Sequence, residues 1–326
     1  KRGDYGWSAE FAIPFKTLRY KKSDDQSWGI NFERVIGRKK EEAHWSPIPR
    51  QFTMNRLISA GTLTSMNVPN ARNIKIMPYL LGQNNKIKNE TQSSDSDGNF
   101  GLDAKVSIGS TMTLDLTYNT DFAQVEADDQ QINLDRFSLF FPEKRAFFLE
   151  NAGLFSLGTG GGYSGPDIEM FFSRRIGVGP SGEPVPILGG GRLTGTIGGM
   201  KIGLLSMGTK AVKGITDANQ YSLFRLKKEL PNRTHFGGMV TALNHGGAEG
   251  YLNQSYSLDS QIGIGQLSKF IFFGAITETP GMNNDNAYAY RFELARDTKQ
   301  ISTSMSYNEV GANFNPEMGY LKRENY

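Results

Sequence analysis

The chain has 326 residues, enough for one or two domains with a buried core. Its 36 basic and 33 acidic side chains leave a net charge of +3, too balanced for a nucleic-acid surface. Cysteine is absent and the three histidines are His44, His235 and His245. This removes disulfides, thiolate metal sites and cysteine nucleophiles, and it argues against an imidazole metal cluster.

No apolar run reaches the ~18 residues of a membrane-spanning helix, and "FIFFGAI" at 270–276 is far too short. Spanning strands leave a weaker trace and remain compatible with the sequence. The opening "KRGDYGWSAE" starts inside a strand-like pattern without an initiator methionine or signal peptide, so the chain is expected to be a fragment of a longer protein.

Residues 1–63 read as short strands. Tyr5, Trp7, Phe11 and Ile13 share one parity, as do Trp28, Ile30 and Phe32. That parity expects Trp7 and Trp28 in the core of a β-sandwich. Trp45, flanked by prolines in "HWSPIPR", is the candidate for an exposed, sugar-stacking ring. Residues 64–73 read as a linker.

From residue 74 the period is two over segments of about ten residues. In "TMTLDLTYNT" Met112, Leu114, Leu116 and Tyr118 oppose Thr113, Asp115 and Thr117. "GLDAKVSIG", "SYSLDSQIGI", "AYAYRFELA" and "ISTSMSYN" alternate in the same way, and their polar face is often charged. Connections alternate in length. Short turns are predicted at 108–111, 197–200, 229–234, 265–269 and 296–300, and long polar loops at 82–99, 208–220, 244–250 and 279–286. Ten-residue antiparallel strands sorted in this way predict an all-β, antiparallel transmembrane outer-membrane β-barrel. Its apolar face meets lipid, its charged face lines a wet lumen, and its short turns are periplasmic. A soluble β-sandwich also produces period-two strands, but its strands are commonly shorter and its connections less cleanly sorted.

The count conflicts around "FFPEKRAFFLEN" (140–151), which fits neither period. Reading "IEMFFSRRIG" (168–177) as a further strand reverses the direction required by the glycine turn at 198–199. The resolution expected is that 121–167 crosses the lumen as a plug-like insertion. Its aromatics would form a small core, and Asp135, Arg136, Glu143, Lys144 and Arg145 would pair with the polar wall, with Arg174 and Arg175 as wall partners. The competing arrangement is an external loop folded onto the rim, with 168–177 not spanning.

Together these stretches point to a family. "GWSAEFAIPFKTLRY", "WGINFERVI" and "HWSPIPR" resemble the closing strands of a carbohydrate-binding module of the family 9-like type. "LTYNTDFAQVEADDQQINLDRFSLFFPEKRAFFLENAGLF", "FFSRRIG", "GGGRLTGTIGGMKIGLL" and "GANFNPEMGYLKRENY" resemble a barrel domain of unknown function found behind such modules in outer-membrane proteins of Gram-negative bacteria. The resemblance implies a periplasmic N-terminal sandwich, an incomplete barrel over 74–326 with about twelve strands visible, and glycan binding; it carries over no catalytic residues.

Other motifs carry less. The acidic run Asp121, Glu126, Asp128, Asp129 and Asp135 singles out no carboxylate pair for glycoside hydrolysis. "DSDGN" (95–99) begins like a calcium loop, but Val106 stands where the bidentate glutamate belongs. The runs "GTGGGYSG" and "LGGGRLTG" lack the lysine-serine/threonine pair of a phosphate loop and read as glycines for bending or close packing. The sequence thus expects a non-enzymatic outer-membrane barrel acting in transport, glycan binding or envelope assembly, without cofactors. Its expected partners are outer-membrane lipid, glycan, and other outer-membrane or periplasmic proteins. The alternatives are a carbohydrate-active surface protein and a soluble sandwich binding protein.

Overall fold

The structure is a computed structural model describing residues 2–3, 6–15, 20, 26–49, 59–68, 74–87, 93–109, 111–119, 142–159, 167–180, 182–298 and 300–323. The N-terminal part holds three strand pairs: β1 (Arg2–Gly3) with β2 (Gly6–Trp7), β3 (Gln26–Ile30) with β6 (Gly61–Met66), and β4 (Glu33–Ile36) with β5 (Glu41–His44). β6 therefore runs into the stretch expected to be a linker. Trp28 meets Phe15 and Tyr20 edge-on or tilted, at 5.9 and 5.4 Å. Trp7 does not join a core. It is 60% exposed, on a two-residue strand, with the Arg34 guanidinium 5.6 Å from its ring.

The rest is built on β7 (Ile74–Ile87), β8 (Ser93–Ile108) and β9 (Met112–Tyr118), then α1 (Ala146–Leu149), α2 (Ala152–Phe155), β10 (Gly158–Thr159) and β11 (Ile168–Glu169). There follow β12 (Ile187–Ile197), β13 (Met200–Thr209), β14 (Asn219–Leu230), β15 (Thr234–His245), β16 (Leu252–Ile264), β17 (Ser268–Glu278), β18 (Tyr288–Asp297), β19 (Ser302–Val310) and β20 (Tyr320–Leu321). Among the described residues β7–β9 and β12–β19 form one antiparallel sheet of eleven strands, ordered along the chain, and no ladder joins β7 to β19. Every predicted short turn links a hairpin. The predicted 82–99 loop does not form as such: Gly82–Ile87 pair with Ser93–Gly98, so most of it extends the first hairpin. "DSDGN" is consequently strand backbone paired to β7, not an ion-binding loop.

The sheet's polarity is reversed from that of a soluble core. On one face lie the buried Thr113, Asp115, Thr117, Arg192, Thr194, Arg225, Thr241, Asn253, Ser255 and Thr277. On the other stand exposed Leu, Ile, Phe, Met and Tyr side chains, up to Leu80 at 84% and Met305 at 82%. The strands alternate as the sequence reads: the covered parity carries the charged and hydroxyl side chains as well as Leu205, Leu223, Met239 and Phe273, and the exposed parity is largely apolar.

The covered face also carries an apolar half near the long-loop ends. Phe148, Phe155, Leu157, Ile168, Met170 and Ile176 from the insertion pack with Leu205, Leu223, Met239, Phe273 and Ala289 of the sheet. Phe314 and Met318, beyond β19, complete the cluster, which reaches from Ile187 on β12 to Val310 on β19. Seven spacings of ~4.8 Å would set those two strands about 34 Å apart in a flat sheet, so one shared core requires the sheet to curl around it. The half near the short turns is polar, with Lys227, Asp259, Lys269, Arg291 and Glu293.

Residues 168–177 are not a spanning strand. β11 is two residues long and pairs with β10 and β20, and Ser173–Arg175 then form a 3-10 turn. Ile168, Met170, Phe171 and Ile176 are all buried, apolar without period two, so the segment serves the core instead of a two-faced sheet. β9 pairs directly with β12, and the sheet has eleven strands where about twelve were expected.

Candidate functional site

Two short helices of the insertion are held against the sheet by arginines that project from it. Arg192 on β12 is 2% exposed. Its Nη2 and Nε donate to Asp115 Oδ2 on the neighbouring β9, at 2.8 and 3.3 Å. Its Nη1 donates to the Glu150 carbonyl at 2.6 Å and to the Phe147 carbonyl. The last carbonyls of a helix have no intrahelical donor, so a fork aimed at them satisfies acceptors that would otherwise be buried unpaired. The guanidinium also lies 4.8 Å from the Phe147 ring centroid. Lys105 on β8 ion-pairs with Asp115 at 3.4 Å and with Glu150. The turn between the helices needs Asn151 in the left-handed region, φ 56°, and its amide donates to Thr194 Oγ1 at 2.9 Å.

Arg225 on β14 repeats the device beneath α2. It is 1% exposed and forks onto Asp259 of β16, with Nη2 to Oδ2 at 2.8 Å and Nη1 to Oδ1 at 2.5 Å. Its Nε donates to the Leu154 carbonyl at 3.2 Å, while His235 Nε2 lies 3.3 Å from Asp259. Each clamp is thus a wall arginine, held by a wall aspartate, that spends its remaining donors on a helix backbone. Gly203 on β13 lets α2 approach, because a Cβ there would collide with the Phe155 ring.

The charged knot behaves differently from its expected role. Glu143 and Arg145 pair with each other. Arg145 Nε and Nη2 fork onto Glu143 at 2.8 and 2.7 Å, and its other donations go to the Ile176 and Ser173 carbonyls, both at 2.7 Å. Ser173 Oγ donates to Glu143 at 2.5 Å, and the guanidinium lies 4.3 Å from the Phe148 ring centroid. The pair therefore fastens residues 143–145 to the 173–176 turn. Burial pushes the Glu143 carboxyl up, but the Arg145 fork and charge with the Ser173 hydroxyl more than offset this and hold it below the usual carboxylate range. Lys144 is exposed.

Arg174 and Arg175 belong to the 3-10 turn, not to the wall; they donate to the Pro142 carbonyl (3.2 Å) and the Gly319 carbonyl (3.0 Å). Asp135 and Arg136, like Asp121, Glu126, Asp128 and Asp129, lie outside the described residues. Trp45 is 62% exposed, edge-on to Phe32 at 6.2 Å. Among the described residues no His/Asp/Glu group could hold a metal ion.

A second segment crosses the covered face after β19. β20 pairs with β11, Phe172 N–H donates to the Met318 carbonyl at 2.8 Å, and Lys322 N–H donates to the Asp167 carbonyl at 2.9 Å. On the wall side Glu317 accepts from Tyr251 Oη at 3.1 Å and Asn315 Nδ2 at 2.9 Å, and it lies 2.6 Å from His245 Nε2. Asn253 Nδ2 donates to the Asn315 carbonyl at 3.0 Å. The segment is a strap between insertion and wall. Nearby, burial pushes the Glu169 carboxyl up, with the Leu157 N–H and the Ser156 hydroxyl offsetting only part of this.

Arg192, Arg225, Asp115, Asp259 and Lys105 were not singled out by motif. Their signal lies in the alternation itself: each is a charge on the polar parity of its strand, where a lumen wall would place it.

Residues 70–189 match the model of a family described as a domain of unknown function (DUF5916). The match spans β7–β9, the insertion and the first residues of β12. No curated protein and no solved structure matches the chain.

Proposed function

We propose that residues 74–326 are barrel wall and lumen filling of a bacterial outer-membrane protein, with the N-terminal strands on the periplasmic side. The observation that carries this reading is the apolar outer face: paired arginines and aspartates are covered together with an apolar core, while the opposite face exposes leucine, isoleucine, phenylalanine, methionine and tyrosine from strand after strand. In water such a surface is an aggregation liability, and in hydrocarbon it is the required one. An eleven-residue strand such as β17 is about 34 Å long at 3.4 Å per residue, and about 26 Å along the axis at a tilt of ~40°. That matches an outward apolar band of ~25 Å. β7 and β19 run the same way, so an all-antiparallel closure takes an odd number of further strands, and a membrane tolerates no open edge.

The insertion fills the long-loop half of the lumen and is clamped at two points, so the protein is a plugged scaffold and not an open diffusion pore. We place it among non-enzymatic components for binding, transport or envelope assembly. A glycan-capturing role is the second reading, favoured by the exposed Trp45 ring. The test is fractionation of the full-length protein. It should sediment with outer membranes, need detergent for extraction, and migrate faster on gels unheated than boiled. Free solubility without detergent refutes the proposal.

A further inference from the structure

Among the described residues of the outward face, Glu309 is a carboxylate that the apolar band does not explain. Glu309 on β19 sits opposite Tyr290 of β18, near the long-loop end. Its Oε1 accepts from Tyr288 Oη at 2.6 Å, and its Oε2 from Tyr307 Oη at 3.1 Å and from Tyr290 Oη. Three phenols donating to one carboxylate keep its charge tolerable beside lipid, and they leave about one of its four acceptor positions open. The Tyr288 and Tyr290 rings, stacked 6.0 Å apart, also close one end of an outward groove of about 840 Å³. Tyr256, Leu258 and Ile276 help line that groove. Gly238 and Gly274 lie either side of Leu258 in the ladder, with the Leu258 side chain beside Gly238 and the Phe272 ring against Gly274.

We propose that groove and carboxylate form one site for a lipid whose headgroup carries a primary ammonium. The alkyl chain lies along the Tyr256, Leu258 and Ile276 side chains of the groove, and the ammonium meets Glu309 and the tyrosine faces. The groove alone would accept any acyl chain. Charge complementarity selects the headgroup, because an ammonium donates to the open carboxylate position and is attracted to aromatic faces, whereas a phosphoglycerol headgroup brings only negative charge and hydroxyls. The site rests on the membrane reading above.

The test uses the intact protein extracted from outer membranes in mild detergent, exchanged against phosphatidylethanolamine or phosphatidylglycerol, with retained lipid counted by native mass spectrometry. The wild type should retain the ethanolamine lipid in preference. Glu309→Gln should lower that retention about tenfold, to the phosphatidylglycerol level, a loss in the range of one charge-assisted contact. Gly238→Leu, which fills the groove, should lower retention of both lipids. Unchanged heat-modifiable migration establishes that each variant is folded. Equal retention of the two lipids by the wild type, or undiminished ethanolamine-lipid retention in Glu309→Gln, overturns the site. Recovery of the wild type without detergent overturns the membrane reading instead, so the two failures are distinguishable.

Discussion

Replacing Arg192 by methionine keeps the length and apolar stem of the side chain and removes its donors. Asp115, 6% exposed at its side chain, then loses a partner at 2.8 Å, and the Phe147 and Glu150 carbonyls lose theirs. Breaking one side of a buried ion pair costs about 3–5 kcal/mol. Lys105 remains 3.4 Å from Asp115 and offsets part of this, which sets the expectation near the lower bound, about 3 kcal/mol. The loss falls on the seating of α1 and not on the sheet ladder, because both orphaned carbonyls belong to the insertion. At 1.4 kcal/mol per factor of ten, the open population of the insertion rises roughly 100-fold.

Limited proteolysis in mild detergent reads that population when closing is faster than cleavage. Cleavage within 142–159 should accelerate by about two orders of magnitude, while unheated gel migration of the remaining sheet is unchanged. Asp115→Asn in the Arg192→Met background should recover part of the loss, since it removes the uncompensated charge. A cleavage rate within about threefold of the wild type would show that the clamp does not seat the insertion, and the plugged-scaffold reading would lose its main energetic support.

Arg225→Met should accelerate cleavage less than Arg192→Met, because Arg225 caps one carbonyl instead of two and Asp259 retains His235 at 3.3 Å; proteolysis of the two variants side by side decides this. Gly203→Leu should lower the temperature of the gel-mobility transition, because its side chain would enter the space of the Phe155 ring, an overpacking worth about 1–3 kcal/mol. Glu143 has its carboxyl held below the usual range in the fold, so it contributes stability above the unfolded-state value and loses it as pH falls through the folded value. Glu143→Gln should therefore cleave faster than the wild type at neutral pH, with the difference shrinking in acid. Glu169 has the opposite sign, raised by burial, so its ionisation opposes folding at neutral pH; Glu169→Gln should slow cleavage there and lose that advantage in acid.

The strands were legible because a sheet with two different environments writes its period into every residue. Met112–Tyr118 could be assigned face by face from sequence, and the ladder confirms each parity. The same rule hides the segment 168–176, whose apolar side chains are buried without alternation. Ile168, Met170, Phe171 and Ile176 are simply apolar, and a short apolar run is as compatible with a buried strand as with a core turn. Reading it as a strand created the direction conflict. The charged knot was misassigned for a related reason. Glu143 and Arg145 are two residues apart, so they satisfy each other and the nearby 173–176 turn, while the wall's own charges come from strands far away in sequence.

The pairing of β9 with β12 removes the need for a crossing chain. Two antiparallel neighbours put the end of the first and the start of the second at one edge of the sheet, so Tyr118 and Gly189 lie opposite each other at the long-loop end. The described helices and core between them nevertheless lie on the covered face, which means the excursion dips inward and returns. Such a hairpin-like insertion could be withdrawn through the rim it entered by, unlike a segment threaded from one mouth to the other. What opposes withdrawal is then specific: two arginine forks on its helix backbones, and a strap made by the chain after β19. The strap follows β19 and pairs with β11, so its ladder exists only when the insertion is seated. At its other end the strap is held to the sheet by Glu317, which accepts from Tyr251 Oη and lies 2.6 Å from His245 Nε2, so β11 and the strands β15 and β16 are tied through one segment.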